Sequence, residues 1–264
     1  MDQRILGIVS AKPELVNEFP SWMLSKKLEN ELSNTKGLAI VEIAGRDSIA
    51  AALEAVRKRD LKALLPTIAY TGTEFGDWEV PFKKASMLKD ELSKKGVRVF
   101  DPVLLGSPRF WWRLCGRYAT HLFTQFGFYS PCVGCHLYLH AVRIPLAQKI
   151  GCGVVIGGER EFHEERIKIN QIGIALDVYV SFAKKFGVEL LLPLRHVRKS
   201  REIESIISKP WKEGTEQLEC VLSKNYLDID GRVVCSESDI KRFFDEFARK
   251  EAEDAIRAFL SHEE

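Results

Sequence analysis

The chain of 264 residues lacks any run approaching the roughly 20 apolar residues a membrane helix needs, so no membrane span is expected. Its opening, Met1 to Val9, has too short an apolar stretch and no cleavage site to serve as a secretory leader. A cytoplasmic protein is therefore expected. No internal repeat or low-complexity tract is present, which excludes solenoids and disordered linkers. There is no excess of either charge: the formal net charge is +2, so bulk charge argues neither for nor against nucleic acid. Gly-x-Ser-x-Gly is absent, which removes the hydrolase elbow. A Walker A sequence is absent, which removes the P-loop NTPases. His163-Glu164-Glu165-Arg166 lacks a second histidine at position 167, so it is not a zinc-protease helix. Gly151-Cys152-Gly153 precedes its strand and so is not a dinucleotide fingerprint.

What is present is 45% apolar content, enough for one large α/β domain or one domain with a helical appendage. Short apolar runs alternate with helical periodicity. Strands are expected at 38–43, 64–70, 97–100, 152–156 and 188–192. Helices are expected at 47–59, 80–95, 108–127, 131–150 and 164–186. Such alternation predicts a doubly wound, mostly parallel sheet covered on both faces. The ends read as additions. Residues 1–36 would supply a strand (5–10) and a helix (21–32), 37–208 the α/β domain, and 209–264 a helical extension. In that extension Ser236 and Asp239 form a capping box.

Two places carry chemistry. Ile43-Ala44-Gly45-Arg46-Asp47-Ser48 ends a strand and opens a helix, where parallel sheets bind ligands. Gly45 permits close backbone approach, and the helix N-terminus favours a phosphate. Ser48 can donate a hydroxyl, Arg46 adds charge, and Asp47 can cap the helix or help hold Mg²⁺. An ordinary strand-to-helix turn with an aspartate cap also satisfies this spacing.

The second place is Cys132-Val133-Gly134-Cys135. Six cysteines occur, at 115, 132, 135, 152, 220 and 235, and in a reducing compartment disulfides are the poorer reading. Two thiols at a helix start suit a metal, a cluster or a redox pair. A third ligand could come from Cys220, Cys115 or Cys235. Zn²⁺ needs four ligands in a structural site, whereas three thiols suit an iron–sulfur cluster with one open iron. His136 and His140 share a helix face behind the pair; they could add ligands, although satisfied histidines are the commoner case. Arg109, Trp111, Trp112, Arg113, Arg117 and Tyr118 interleave cations with aromatics, which suits nucleic acid or an amphipathic core helix. Arg195, His196, Arg198, Lys199 and Arg201 form a second basic patch.

The order of these features resembles the PP-loop ATP pyrophosphatases that thiolate tRNA. Cys132-x-x-Cys135, a helix, Leu146-Ala147-Gln148-Lys149-Ile150-Gly151, a strand and Gly157-Gly158 look like that family's middle. The loop at 43–48 aligns with its Ser-Gly-Gly-x-Asp-Ser motif, with Ile43 and Ala44 at the first two positions. Leu192-Pro193-Leu194-Arg195-His196-Val197 is similar to its R-P-L-x-x-V segment. Cys220 falls where cluster-dependent members carry a third cysteine.

The resemblance implies a HUP/PP-loop fold and ATP-dependent sulfur transfer. Asp47 and Ser48 would be catalytic. Ala44, Gly45, Arg46, Asp47, Ser48 and Gly157 would bind ATP and Mg²⁺. Cys132, Cys135 and Cys220 would hold a [4Fe–4S] cluster, or Zn²⁺ as an alternative. Partners would be tRNA or a smaller nucleobase-like substrate and a sulfur donor, with a homodimer possible. The altered loop keeps two further readings open: an ATP-independent, cluster-dependent desulfidase, and a non-catalytic zinc- or nucleotide-binding module.

Overall fold

The computed structural model describes residues 23–116, 119–128, 130–164, 166–207 and 217–261. The strand expected at 5–10 lies outside them. The first helix, α1 (Lys26–Ser33), is capped by Ser25, whose hydroxyl accepts from the Leu28 amide at 3.2 Å. It therefore starts later than the sequence suggests, because the capping side chain sets the first turn.

Strand β1 (Leu38–Glu42) is buried along its whole length, as a central parallel strand must be. It leads into α2 (Arg46–Lys58) and then β2 (Ala63–Tyr70). The β1–β2 register runs from Leu38 opposite Ala63 to Glu42 opposite Thr67. A short strand β3 (Glu74–Phe75) precedes α3 (Glu79–Ser93). Gly96, at φ +73°, reverses the chain after that helix, a conformation that glycine adopts without penalty.

The third strand is shorter than expected. β4 is only Arg98–Val99, and the chain re-forms β5 (Val103–Gly106) beyond Asp101-Pro102; both pair with β2. Helices α4 (Pro108–Cys115), α5 (Ala119–Phe126) and α6 (Pro131–Ala141) follow. The helix expected to run to Ile150 is broken, and α7 (Arg143–Lys149) is a separate piece. Pro145 has no N–H for the Ala141 carbonyl, so the ladder cannot continue.

Strand β6 (Val154–Ile156) joins β1, and β7 (Glu189–Leu191) joins β6, all parallel. The sheet order is β4-β2-β1-β6-β7, with β5 also on β2. The chain moves one way from β1 to β2 and then returns to place β6 on β1's other side. This is the doubly wound arrangement expected, and its switch point lies between the carboxyl ends of β1 and β6.

Helix α8 (Gly173–Lys185) occupies only the second part of the 164–186 helix expected. Glu164 sits at φ +60°, which a helix does not tolerate. The intervening segment instead turns its Lys168 and Asn170 side chains inward. α9 (Ser200–Ile207), β8 (Glu219–Cys220, antiparallel to β3), α10 (Glu237–Phe243) and α11 (Arg249–Leu260) complete the described elements, with a π-turn at Phe244–Ala248 between the last two. The Ser236–Asp239 capping box is present.

Two apolar layers cover the sheet. Ile49, Leu53, Leu88, Leu92 and Ile203 of α2, α3 and α9 fill one face. On the other, Leu137, Leu146, Leu176 and Phe182 pack with Leu32 of α1 and with Phe243, Phe244, Ile256 and Phe259 of the C-terminal helices.

Candidate functional site

The loop after β1 is held by its own side chains. Gly45 caps α2 in an extended conformation. A Cβ there would lie 2.7 Å from the Gln217 side-chain oxygen, so a side chain at this position would have to displace the end of Gln217. The Ser48 hydroxyl accepts from the Ala44 amide at 3.0 Å and donates to the Gly45 carbonyl at 2.7 Å. Arg46 Nε donates to Asp47 Oδ1 at 2.8 Å, and Arg160 Nε donates to Asp47 Oδ2 at 3.0 Å. Both guanidinium groups are buried.

Further cationic groups stand behind them. Burial, opposed by Asp47 but helped by Arg160 and Arg46, lowers the Lys168 pKa. Burial, then Lys168 and Arg160, push His163 down to about 4. Two buried arginines, a lysine and a helix N-terminus around one carboxylate make a surface suited to a polyanion.

Gly158 lies against this loop. A Cβ on it would stand 2.7 Å from the Ser48 nitrogen and 2.8 Å from the Ser48 Cα. Its neighbour Gly157, the residue expected to bind nucleotide, sits instead over Glu159 and His140, with Glu159 Oε2 only 2.6 Å from where a Cβ would be.

The thiols converge from two parts of the chain. Ser130 precedes Pro131, which opens α6 with its fixed φ. Cys132 and Cys135 then lie in the first turns. The Cys132 sulfur is 3.5 Å from the Leu222 carbonyl oxygen, and the Cys220 sulfur is 3.4 Å from the Leu222 amide nitrogen. Cys220 is held in β8 opposite Glu74, with Thr73 Oγ1 3.3 Å from its sulfur. Cys115 lies behind, buried; a Cβ on Gly134 would meet the Leu114 carbonyl oxygen at 2.9 Å and the Cys115 sulfur at 3.3 Å. Gly134 thus lets α4 and α6 approach. Cys235 packs at the edge of the core and Cys152 inside it.

Burial pushes the Cys132 thiol up to about 11, against a hydrogen bond from Ser130, with Cys220 adding to the rise. Burial raises Cys135 further, opposed by the Trp111 indole. That indole Nε1 is buried without a protein acceptor in good geometry. Bare thiolates here would be costly, and a metal centre would provide the missing positive charge. The orphaned indole donor also fits a sulfur-rich group lying against the thiols. A single ion draws its ligands close together, but the three sulfurs do not all lie within 4.8 Å of one another. Each cysteine of a [4Fe–4S] cluster binds a different iron, so wider spacing suits the cluster. The residues fit that group.

Loop and thiols are linked by a short stretch of chain. Gln217 touches Gly45, and Cys220 is three residues on. The Cα positions of these two residues are therefore within about 11 Å of each other.

Between the two lies a buried polar cluster. Glu42 ends β1, Glu159 follows β6, and His140 comes from α6; their ligand atoms all lie within 4.8 Å of one another. His140 Nε2 is 2.9 Å and His136 Nδ1 3.5 Å from Glu159 Oε1. Burial pushes the Glu159 carboxyl up, but the two histidines outweigh it and hold it well below the usual carboxylate range. Burial lowers His140, and Glu159 outweighs that to raise it. Both histidines are charge-paired with Glu159, yet neither His140 ring nitrogen nor His136 Nδ1 makes a hydrogen bond in good geometry.

Arg160, Lys168, Glu42 and Glu159 were not singled out in the sequence. Arg160 and Glu159 follow the Gly157-Gly158 turn at a strand's carboxyl end, the position that could have marked them. One arginine of each basic segment is paired within the fold. Arg113 pairs with Glu251 and Asp254 of α11, while Trp112 is exposed. Arg195 bonds Glu161 at 2.6 Å and Asp177 at 2.7 Å. Arg117 and Tyr118 lie outside the described residues. A groove of about 790 Å³ sits at the opposite end of the sheet, near Arg59, Lys62 and Lys95, and does not include these residues.

Fold and site together define a doubly wound α/β protein with a cation-lined loop after β1, a buried carboxylate–imidazole cluster and a three-thiol corner at one sheet edge. No family model matches the chain. It belongs to the same family as the uncharacterized protein MJ0009 of Methanocaldococcus jannaschii, with 36% identity over 224 residues, 84% of this chain and 80% of that protein. Two solved structures are similar. One is a "predicted subunit of tRNA methyltransferase" from Methanocaldococcus jannaschii, with 12% identity and TM-score 0.40 over 81% of this chain and 90% of that one. The other is the U34-tRNA thiolase NcsA of Methanococcus maripaludis with its [4Fe-4S] cluster, with 11% identity and TM-score 0.41 over 98% of this chain and 79% of that one. At such low scores the fold rests on this chain's own strand order and the function on its site. Among the described residues no helix is long and apolar enough to cross a membrane.

Proposed function

We propose that the chain is a sulfur-handling enzyme acting on a tRNA base or a smaller nucleobase-like compound, with ATP as the activating co-substrate. A carbonyl oxygen of the acceptor attacks the α-phosphorus of ATP and pyrophosphate leaves. Sulfide then attacks the activated carbon, and AMP departs with the oxygen. The α2 N-terminus, Arg46, Arg160 and Lys168 would neutralise the pyrophosphate. Asp47 would position Mg²⁺ after releasing an arginine. Cys132, Cys135 and Cys220 would hold a [4Fe–4S] cluster, which supplies a coordination position for sulfide when bound.

The observation that carries this reading is the approach of Cys220 to Cys132 across the backbone of Leu222, within a short chain step of the loop. A second reading, an ATP-independent desulfidase, is favoured by one feature. Both Asp47 carboxylate oxygens are already engaged by arginines, which leaves the loop closed to Mg²⁺.

Anaerobically reconstituted protein tests both. Pyrophosphate formed in step with thiolated product, from ATP, sulfide and unmodified tRNA or nucleobase, supports the first. Sulfide released from a thiolated nucleobase without ATP supports the second. An iron-free, colourless chain that forms neither product contradicts both.

A further inference from the structure

We propose that Glu42, His140 and Glu159 form a site for one divalent transition-metal ion of the Zn²⁺ kind, separate from the thiols, that fastens helix α6 to the sheet. Among the described residues ten buried side-chain polar atoms lack a hydrogen bond in good geometry, and six belong to this one cluster: Glu42 Oε2, Glu159 Oε2, both ring nitrogens of His140, His136 Nδ1 and an Arg143 terminal nitrogen; of these, His140 Nε2 and His136 Nδ1 are charge-paired with Glu159 Oε1 at 2.9 and 3.5 Å. Orphaned polar atoms in a native interior call for an explanation, and their concentration at one point calls for a shared one.

The donors suit a dication. Carboxylate oxygen and imidazole nitrogen are both Zn²⁺ ligands at about 2.0–2.2 Å, so the ligand atoms around a tetrahedral ion stand about 3.3–3.6 Å apart. The three groups here lie within 4.8 Å of one another, and side-chain movements of up to about an ångström close the set. His136, with Nδ1 3.5 Å from Glu159 Oε1, supplies a fourth donor on the same helix. Mixed carboxylate and imidazole ligation selects transition metals over Mg²⁺ or Ca²⁺.

Charge agrees. Arg143 is fully buried, donates from Nε to Thr67 Oγ1 at 2.8 Å and from a terminal nitrogen to the Leu139 carbonyl, and stands 3.9 Å from Glu42 Oε1. It offsets part of the carboxylate charge through Glu42 Oε1, while Glu42 Oε2 stays unpaired for the ion beside Glu159. The position has structural sense too. Glu42 and Glu159 lie at the carboxyl ends of β1 and β6, and His140 lies on the helix that carries Cys132 and Cys135. An ion bridging them fixes the thiol-bearing helix against the loop. This site stands whether or not the sulfur chemistry does.

The test is Co²⁺ titration of the chelator-treated full chain, followed by visible absorption. Thiolate-bound Co²⁺ shows intense sulfur charge-transfer bands, whereas Co²⁺ on oxygen and nitrogen does not. The C132S/C135S/C220S variant is expected to bind one equivalent with only the weaker ligand-field bands. Zn²⁺ at a hundred times its Kd should raise that variant's Tm by about 5–10 °C. H140N and E159Q in the same background should each abolish both effects. If the triple variant does not fold, the wild type decides by the same spectra, since an equivalent without sulfur bands must appear beside any thiol-bound one. A folded triple variant, or a wild type, that binds no equivalent lacking sulfur bands overturns the proposal. Ordered water would then be what satisfies these atoms.

Discussion

The loop after β1 and the thiol corner share one sheet edge but are built on opposite principles. The loop satisfies itself: Ser48 ties Ala44 and Gly45, and Arg46 and Arg160 take both oxygens of Asp47. The corner does not. Its thiols are driven toward neutrality by burial, and a buried indole donor beside them has no acceptor in good geometry. A site complete in its own charges tolerates an absent ligand, whereas one that buries unsatisfied donors is shaped around something it holds.

The comparison breaks most sharply at the cysteines. C132S and C135S should each remove nearly all iron from the reconstituted chain, while C235S and C152S leave it unchanged, as measured by iron analysis. R160A should leave iron unchanged but destabilise the fold by about 3 kcal/mol in urea titrations, because it strips a part-buried carboxylate of one partner. It should also weaken pyrophosphate formation. G158A should cost about 2 kcal/mol, since its methyl group would collide with the Ser48 backbone; G153A, with open space around it, should be close to neutral in the same assay. S236A, far from both regions, should cost about 1 kcal/mol through the lost cap.

The smallest effect is a pH dependence. His163 titrates near 4 in the fold, below its ordinary 6.5. The unfolded chain therefore binds the proton first as pH falls. The stability tied to a neutral His163 is complete above pH 6.5 and is lost progressively down to about pH 4. Urea midpoints across that window should fall less in H163Q than in the wild type.

Much of the fold was legible because parallel strands announce themselves as apolar runs closed by glycine or proline: 38–43, 64–70 and 188–192 all become strands. The failures have local causes. Residues 164–172 show spaced isoleucines, but Glu164 takes a left-handed conformation and Lys168 turns toward the loop. β5 hides between Asp101-Pro102 and Pro108, too short for its alternation to register. In the site, Cys132, Cys135 and Gly45 could be singled out because each belongs to a short local pattern, a Cys-x-x-Cys pair or a strand-to-helix turn. The pairing of Arg160 with Asp47, and of Glu42 with Glu159 and His140, depends on strands far apart in the chain becoming neighbours. The turn Gly157-Gly158 was readable, but not that its close approach to the Ser48 backbone is made by Gly158.

The central claim is that three thiols of this chain hold one iron–sulfur cluster. Iron and acid-labile sulfide, measured per chain after anaerobic reconstitution of the wild type and of C220S, test it most directly. About four of each in the wild type, with a marked loss in C220S, is the result expected. Zinc alone at the thiols, or iron content indifferent to Cys220, would contradict it.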